Sequence, residues 1–372
     1  MTACDDCLRR TDLIAALAGR IEVEWRLRTG RPMLLALADE RLLDWAGDAA
    51  VAAHYAGFAR GTATAALDAA SVVAVCRCDA AYPAGLHDLP DPPAVLHILG
   101  DPQLLDGRAA IGIVGSRRCS PYGDEVARSF GRGFAAAGIV VVSGMALGVD
   151  CAAHEGALET GPTVAVLATG ADRPYPARKR ELHRRIATTG CVVSEMPPGF
   201  APHRWGFPAR NRIIAALSAG TVVVEGTERS GSLITADFAA ELGRFVAAVP
   251  GRVTCAQAAG PHLLLKSGAE LVREPADALD LLALEHRREE SPVAVIGRGP
   301  RPAIAVRPGP APPDLPPRLG SLLADIENGA TTVAALTSPA RTPADLLAAL
   351  GELELRGLVR RRFGGSYERA LS

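Results

Sequence analysis

The chain has 372 residues, of which 48% are hydrophobic and 22% are charged, and its formal net charge is -1. This length predicts more than one globular domain, and the near-zero charge excludes a protein that attracts polyanions over its whole surface. No apolar run approaches the ~18 residues of a transmembrane helix, and Asp5 and Asp6 replace the basic start of a signal peptide. We therefore expect a cytoplasmic protein that makes no membrane contact.

The first part of the chain shows helical periodicity. Thr11 and Asp12 precede an amphipathic segment, and Gly30 and Gly47 separate two later ones. We predict a small helical N-terminal domain over residues 1–75, similar to SAM or helix-hairpin-helix domains. Proline-rich residues 76–108 predict an extended connector, because proline fixes the backbone without forming a helix.

Four of the eight cysteines are paired in the sequence. Cys4 and Cys7 form a CxxC motif, and Cys76 and Cys78 form a CxC motif about seventy residues later. Four thiolates can hold a structural zinc ion, but CxC is an unusual spacing and no histidine completes a familiar pattern. The favoured interpretation is reduced thiols and no metal site.

Residues 109–283 contain six short apolar runs that alternate with helical patterns. Runs of this kind, rich in valine and isoleucine, are typical of strands buried on both faces of a parallel sheet. The sequence therefore predicts an α/β fold with a doubly wound parallel sheet. The predicted strands are Ile111–Val114, Ile139–Val142, Thr163–Leu167, Cys191–Val193, Thr221–Val224 and Phe245–Val249.

Glycine, serine and arginine follow several of these strands, as in Gly115-Ser116-Arg117 and in the segment 143–148. Ligands of doubly wound sheets bind at the carboxyl ends of the strands, so we expect a binding site there. The first turn is not GxGxxG and no acidic residue follows at the spacing that holds a ribose, so we expect no NAD or FAD and no other cofactor. Ser230-Gly231-Ser232 at a helix start predicts a small phosphate nest.

Two segments combine aromatic and basic residues. Arg178, Lys179 and Arg180 follow Tyr175, and the segment 203–212 mixes rings with arginines. Rings can stack on bases while guanidinium groups bind phosphates, so this composition suits single-stranded nucleic acid. The alternative is that Trp205 and Phe207 pack beneath the helix that follows.

No catalytic group is predicted. His154 is the strongest candidate for a base, but no nucleophile can be paired with it, and a helix histidine with a satisfied hydrogen bond is the favoured interpretation.

The last part of the chain changes character twice. Residues 284–317 are rich in proline and arginine and predict a linker. Residues 318–372 predict three helices and a hairpin that turns at Gly364 and Gly365, which together make a winged helix. Its third helix carries Asp345, Glu352 and Glu354, which favours a protein contact over duplex binding because acidic groups repel phosphates.

A set of motifs in residues 111–273 resembles the DprA/Smf family of DNA-processing proteins of bacterial natural transformation. The motifs are GSR, SPYG, SGMALGVDCAAH, YP, SE, FPARNRIIAALS, EGTERSGSLITA, VPG and GPHLLLKSGAELV, in that order. The resemblance implies a Rossmann-like core that binds and protects single-stranded DNA without cleaving it. It also implies a homodimer and delivery of the strand to the RecA recombinase.

The resemblance places a basic pocket at Arg117, at Arg178 or Lys179, and at Arg204, with Phe207 as the stacking ring. Arg204 stands where other members have lysine, which keeps the charge. Arg210 and Arg212 either shape the pocket or pair with acids such as Glu195 and Glu225. We further expect phosphate contacts from the turn amides of Ser116, Gly144 and Ser232. The full predicted DNA site is Ser116, Arg117, Ser143, Gly144, Gly148, Arg178, Lys179, Arg204, Phe207, Arg210, Asn211, Arg212, Ser230, Gly231 and Ser232.

The resemblance also indicates a segment for dimer and RecA contacts. Its predicted residues are His262, Leu264, Leu265 and Leu271. Gly260-Pro261-His262 departs slightly from the family pattern, which makes this assignment weaker than that of the pocket.

Two other functions remain open. The sheet also resembles the lysine-decarboxylase-like nucleotide phosphoribohydrolases, whose loop PGGxGTxxE ends on a catalytic glutamate. Thr235 stands where that carboxylate is required, so hydrolysis of an N-glycosidic bond lacks its main group. The second alternative is a sheet domain that senses a small nucleotide and regulates a partner.

Overall fold

The computed structural model describes residues 3–27, 33–290, 315–327, 333–337, 343–356, 358–361 and 367–369. The chain divides into two compact units, Met1–Leu284 and Glu285–Ser372. Most of the predicted linker 284–317 lies outside the described residues, which resume at residue 315.

The N-terminal segment forms helices up to Ala70, whereas the end of the predicted helical domain belongs to a strand of the sheet, Val73–Cys76. Asp48 caps the fourth helix by accepting from the amides of Ala50 and Val51, and Gly47, with φ of 56°, ends the third. The helices do not form a core of their own, because Leu13 and Leu42 pack in one cluster with Trp205 of the sheet domain. The helices are α1 (Asp5–Ala16), α2 (Ala18–Leu27), α3 (Asp39–Ala46), α4 (Ala49–Ala56) and α5 (Arg60–Ala70).

A nine-stranded sheet forms the centre of the first unit, in the order β1-β2-β6-β5-β4-β3-β7-β8-β9. All adjacent pairs from β6 to β9 in that order are parallel, whereas β2 runs antiparallel to both β1 and β6. The strands are β1 (Val73–Cys76), β2 (Val95–Gly100), β3 (Ala110–Val114), β4 (Val140–Ser143), β5 (Thr163–Leu167), β6 (Cys191–Ser194), β7 (Gly220–Val223), β8 (Phe245–Ala248) and β9 (Glu270–Leu271).

The predicted α/β fold with a mostly parallel sheet is confirmed, and all six predicted strands are present. The sheet is larger than predicted, because it also contains β1, β2 and β9. The segment predicted as an extended connector, 76–108, therefore includes strand β2. Val95, Leu96 and Ile98 are buried there, and the prolines that suggested a connector lie on either side of the strand.

Helices connect the parallel strands and pack on the sheet. The two helices that follow β3 and β4 approach closely because glycine lies at their contact: a Cβ on Gly131 would lie 2.1 Å from the Ala153 carbonyl oxygen, and one on Gly156 would lie 2.0 Å from that of Arg128. The helices are α6 (Pro121–Ala136), α7 (Val149–Ala157), α8 (Arg180–Thr189), α9 (Gly206–Ala216), α10 (Gly231–Glu241), α11 (Ala259–Lys266) and α12 (Pro275–Glu290).

Strand order determines where a ligand fits. After β3 the chain continues outward through β4, β5 and β6, and it then returns to add β7 on the other side of β3. The connections that follow β3 and β7 therefore lead toward opposite edges of the sheet, and doubly wound sheets bind their ligands at the carboxyl end of such a point.

Beyond α12, the described residues of the second unit form three helices and one antiparallel strand pair. They are α13 (Pro317–Glu327), α14 (Val333–Leu336), α15 (Pro343–Leu355), β10 (Val359–Arg361) and β11 (Tyr367–Arg369). Leu322, Leu350 and Leu353 are fully buried in its core. The elements match the predicted order, whereas the turn at Gly364 and Gly365 lies outside the described residues and the winged-helix assignment stays a prediction.

Candidate nucleic-acid interface

An arginine and two aromatic rings meet at the carboxyl edge of the sheet. The guanidinium carbon of Arg117, in the loop after β3, lies 5.1 Å from the centre of the Phe207 ring, near the start of α9. The ring of Tyr175, from the loop after β5, lies 5.2 Å from that of Phe207 at an interplanar angle of 46°. Arg117 and Tyr175 are exposed and Phe207 is half-buried, so a cation and aromatic surface lie together in reach of solvent.

Arg117 and Phe207 belong to the DNA site predicted from the sequence, whereas Tyr175 does not. The sequence feature that could have identified Tyr175 is its place in the loop after β5, at the same sheet edge as the other two residues. We name Tyr175, Phe207 and Arg117 the aromatic-arginine cluster.

Three further predicted cations lie on this part of the fold. Arg178 and Arg204 are exposed, and among the described residues neither has a carboxylate within ion-pair distance. Lys179 donates to Glu155 at 2.8 Å, and Arg128 binds the other oxygen of the same carboxylate at 2.6 Å. The hydrogen bond to Glu155 raises the pKa of Lys179, so its ammonium stays charged, although Glu155 partly neutralises it.

Arg210 lies in the interior beneath this surface. Only 4% of the surface of Arg210 is exposed. Burial lowers the pKa of its guanidinium to about 10, which still leaves the group charged at neutral pH. Its Nε and Nη1 find no hydrogen-bond acceptor among the residues that the structure describes. Buried donors are rarely left without a partner. Both atoms are closed to solvent in this structure, so an acceptor such as a phosphate oxygen reaches them only if the loop after β4 moves aside.

Gly144 makes room for that guanidinium. A Cβ at this position would lie 1.2 Å from Arg210 Nη1, so only glycine allows the side chain to lie against the backbone after β4. The nearby Asp150 carboxylate accepts from the amides of Gly144 at 3.2 Å and Ala146 at 3.3 Å. Burial raises the pKa of Asp150, while the positive charge of Arg210 opposes that rise.

The expected phosphate contacts from three turn amides need correction. The amide of Ser116 donates to the Glu225 carbonyl at 2.7 Å, that of Gly144 donates to Asp150, and that of Ser232 donates to the Ser230 hydroxyl at 3.4 Å. Each amide already has a protein acceptor, so none of the three is free to bind a phosphate.

The other small residues of the predicted site shape the loops. Ser143 is fully buried and donates to the Ile113 carbonyl at 2.6 Å. Gly148 has φ of 77°, and a Cβ there would lie 2.2 Å from the Ser116 carbonyl oxygen. The Gly231 carbonyl accepts from the Asn211 side chain at 3.1 Å, and Ser230 caps α10.

Arg212 belongs to a buried ion network and is not a DNA contact. Its guanidinium binds Glu195 at 2.8 Å and Asp91 at 3.0 Å, and its side chain is only 3% exposed. Of the two predicted roles for Arg212, the structure therefore contains the pairing with Glu195. Within the described part of the chain, Glu225 forms no such ion pair with an arginine; its carboxylate accepts from the Ser120 amide at 2.8 Å and hydroxyl at 2.6 Å.

Trp205 and His154 are also structural. Trp205 is fully buried, and its indole N–H donates to the Ala18 carbonyl at 3.1 Å. His154 is fully buried beside Thr163, with 2.8 Å between Nδ1 and Oγ1, and burial lowers its pKa to about 3. A neutral, inaccessible imidazole supports the interpretation of His154 as a core residue.

The residues predicted for dimer and RecA contacts differ in their exposure to solvent. Leu264 is 2% exposed and packs in the core, which corrects its assignment as a contact residue. Leu265 is half-buried, and His262 Nε2 lies 3.0 Å from the Gly251 carbonyl oxygen. Leu271 is 51% exposed on β9, the last strand of the sheet, and Leu263, which was not predicted, is 46% exposed.

One group of cysteines lies close together in the structure: Cys4, Cys7, Cys76 and Cys78. The structure brings all four sulfur atoms together at β1, the outermost strand of the sheet. No metal site was predicted there from the sequence.

Comparison with known proteins places these features in a family. The model of the family described as DNA recombination-mediator protein A matches residues 73–283. The DNA processing protein DprA of Bacillus subtilis is 42% identical over 202 residues, which span 54% of this chain and 68% of that protein. Among the described residues, no helix combines the length and apolar character needed to cross a membrane.

Two solved structures are similar. The X-ray structure of DprA from Streptococcus pneumoniae superposes with a TM-score of 0.61 at 33% identity, covering 75% of this chain and 98% of that one. A structure of DNA processing protein A from Helicobacter pylori, which describes the single-stranded DNA binding mode of that protein, superposes with a TM-score of 0.53 at 30% identity over 57% of this chain and 96% of that one. The matched residues, the sheet and its motif-bearing loops together show that the chain belongs to the DprA/Smf family.

Proposed function

We propose that this chain binds single-stranded DNA at the carboxyl edge of its sheet. The observation that carries the proposal is the contact of Arg117 with Phe207, with Tyr175 against the same ring. Rings accept unpaired bases of any sequence, and an adjacent guanidinium binds the phosphate that links them. The similarity to the Helicobacter pylori protein supports the same ligand.

The proposed contacts follow from charge and exposure. Arg117, Arg178 and Arg204 attract the phosphate backbone from solvent, and Phe207 and Tyr175 stack on bases. Arg210 supplies the two unpaired N–H groups described above. The backbone amides of Ser116, Gly144 and Ser232 have no part in this mechanism, since they are already paired.

We infer that the chain acts without catalysis, in the cytoplasm, in the processing of DNA during natural transformation. Within that role it protects the incoming strand and loads RecA on it. The absence of catalysis is supported by His154, which is buried and neutral, and by Thr235, a buried hydroxyl residue at the position where a phosphoribohydrolase needs a carboxylate.

Self-association is proposed to use α11 and β9. Leu263 and Leu271 are exposed apolar residues on these adjacent elements, and β9 is the last strand of the sheet. An edge strand with apolar neighbours is a surface that a second copy can cover. A homodimer would place two DNA sites on one strand and so raise the avidity.

Titration of a fluorescent oligo-dT at several salt concentrations tests DNA binding, with a duplex of equal length as competitor. We expect the single strand to bind more tightly and its affinity to fall steeply with salt. Absence of binding to either form at low salt would overturn the proposal, and nucleotide hydrolysis assays would then test the phosphoribohydrolase alternative.

Two further assays address the partners. RecA filament assembly on oligo-dT should be faster with the protein than without it, and the Arg117→Ala variant, which binds DNA more weakly, should accelerate it less. Sedimentation should give a dimer for the wild type and a monomer for Leu271→Glu, while Val23→Glu, an exposed control on α2, should remain dimeric. A monomeric wild type would exclude the dimer.

A further inference from the structure

Four cysteines from two distant parts of the first unit converge on one point. Cys4 precedes α1 and Cys7 lies in its first turn, whereas Cys76 ends β1 and Cys78 follows it. Their sulfur atoms all lie within 4.8 Å of one another. Because some seventy residues separate the CxxC from the CxC, this convergence comes from the fold and not from local sequence.

The spacing of the sulfurs fits a tetrahedral metal ion. Zinc binds thiolates at about 2.3 Å, which places the sulfurs of a tetrahedral site about 3.8 Å apart. The sulfurs of Cys7 and Cys78 are 3.8 Å apart. A disulfide requires a separation of about 2.05 Å, and all four cysteines are free.

The surroundings favour a structural site. Cys7 and Cys76 are each 3% exposed, in a cluster with Leu8, Val72 and Ala74. The amide of Cys4 donates to the Cys76 sulfur at 3.5 Å, a contact that favours a sulfur carrying negative charge.

We propose that Cys4, Cys7, Cys76 and Cys78 bind one zinc ion as four thiolates. Four protein ligands close the coordination shell, so the ion would be structural and would leave no position for substrate. Binding converts four thiols to thiolates, and their protons go to solvent. The ion would join the start of α1 to the end of β1, and so attach the N-terminal helices to the edge of the sheet.

Metal analysis of the full chain, purified under reducing conditions without a polyhistidine tag, tests the proposal. We expect one zinc per chain, and a loss of zinc from Cys7→Ser and from Cys76→Ser. Cys255→Ser is the matched control, because Cys255 is half-buried but outside the group, and it should keep its zinc. A folded wild type that takes up no zinc when it is offered would overturn the proposal, as would stoichiometric zinc in the Cys7→Ser/Cys76→Ser double variant.

A second measurement on the wild type covers the case in which those variants fail to fold. Cobalt offered to metal-free protein should give the visible bands of a tetrahedral thiolate site, and added zinc should remove them. Chelation should lower the melting temperature by about 5 °C or more, and zinc should restore it. If thiol titration of the denatured, metal-free chain gives fewer than the eight thiols of its sequence, a disulfide and not a zinc site joins the two motifs.

Discussion

The guanidinium of Arg117 lies over the ring of Phe207, with 5.1 Å between the guanidinium carbon and the ring centre. Arg117 lies in the loop after β3 and Phe207 in the first turn of α9, so the contact exists only in the folded domain. It places a permanent positive charge beside an aromatic face, and each member of the pair can be tested separately.

Replacing Phe207 with alanine should weaken binding of oligo-dT by roughly 1 to 3 kcal/mol, since one base loses its stacking surface. The salt dependence should not change, because no charge is removed. Phe207→Tyr retains a ring and is the matched control, which should bind nearly as well as the wild type. Equal losses in both variants would show that the ring packs but does not stack on a base.

Replacing Arg117 with alanine should both weaken binding and reduce the slope of log affinity against log salt by about 0.7, the value for one phosphate contact on a single strand. Arg132→Ala removes the same charge from α6, where Arg132 pairs with Glu159, and should leave the slope unchanged. An unchanged slope in Arg117→Ala would place the phosphate path elsewhere.

Gly144→Ala should weaken single-stranded DNA binding by about tenfold, which corresponds to the loss of roughly 1.5 kcal/mol from a charged hydrogen bond. The reason is steric, because the new methyl group would occupy the position of Arg210 Nη1. Gly231→Ala is the control at another predicted site glycine, where a Cβ meets nothing within 4 Å. Circular dichroism should give native spectra for both variants; full binding by Gly144→Ala would remove Arg210 from the mechanism.

Arg212→Ala should lower the free energy of unfolding by about 3 to 5 kcal/mol, because it leaves Glu195 and Asp91 without their buried partner. Urea denaturation measures this change. Arg184→Ala, which breaks an exposed pair with Glu181, should change the urea midpoint little. If Arg212→Ala is as stable as Arg184→Ala and binds DNA less well, Arg212 is a DNA contact after all.

Stability should fall as the pH drops below about 6.5. Burial lowers the pKa of His154 from 6.5 to about 3 and that of His97 from 6.5 to about 4. At pH values between the native pKa and 6.5, the unfolded chain binds more protons than the native state, so the free energy of unfolding rises with pH. The contribution of these two histidines to stability reaches its full value above about pH 6.5. His154→Gln should flatten the dependence of the urea midpoint on pH, whereas His54→Gln, on the exposed surface of α4, should not. A wild-type midpoint that stays constant from pH 7 to pH 4 would contradict this assignment.

The parallel strands could be predicted because each is a short apolar run buried on both faces, as Ile111 to Val114 illustrates. Strand β2 was missed since it is antiparallel and flanked by prolines, so its pattern resembles a connector. The sequence could not distinguish the roles of Arg210 and Arg212, which lie two residues apart on α9. Arg212 pairs with the carboxylates of Glu195 and Asp91, whereas Arg210 has two N–H groups without a hydrogen-bond partner in the described part of the chain.

The turn amides show the same limit. Their composition indicates an anion nest, but whether an amide is available depends on acceptors such as Asp150 and Glu225 that the fold brings close. The cysteine group likewise depends on how α1 lies against β1. In each case the residue type was visible in the sequence and its partner was not.

Glu225 has a consequence for the choice of ligand. Its carboxylate binds the amide and hydroxyl of Ser120 at the start of α6, where a doubly wound fold would commonly hold the phosphate of a free nucleotide. The protein thus carries its own anion in that position, and a mononucleotide would have to displace a tethered competitor. A polymer that lies across the outer surface, over Arg117 and Phe207, meets no such competition.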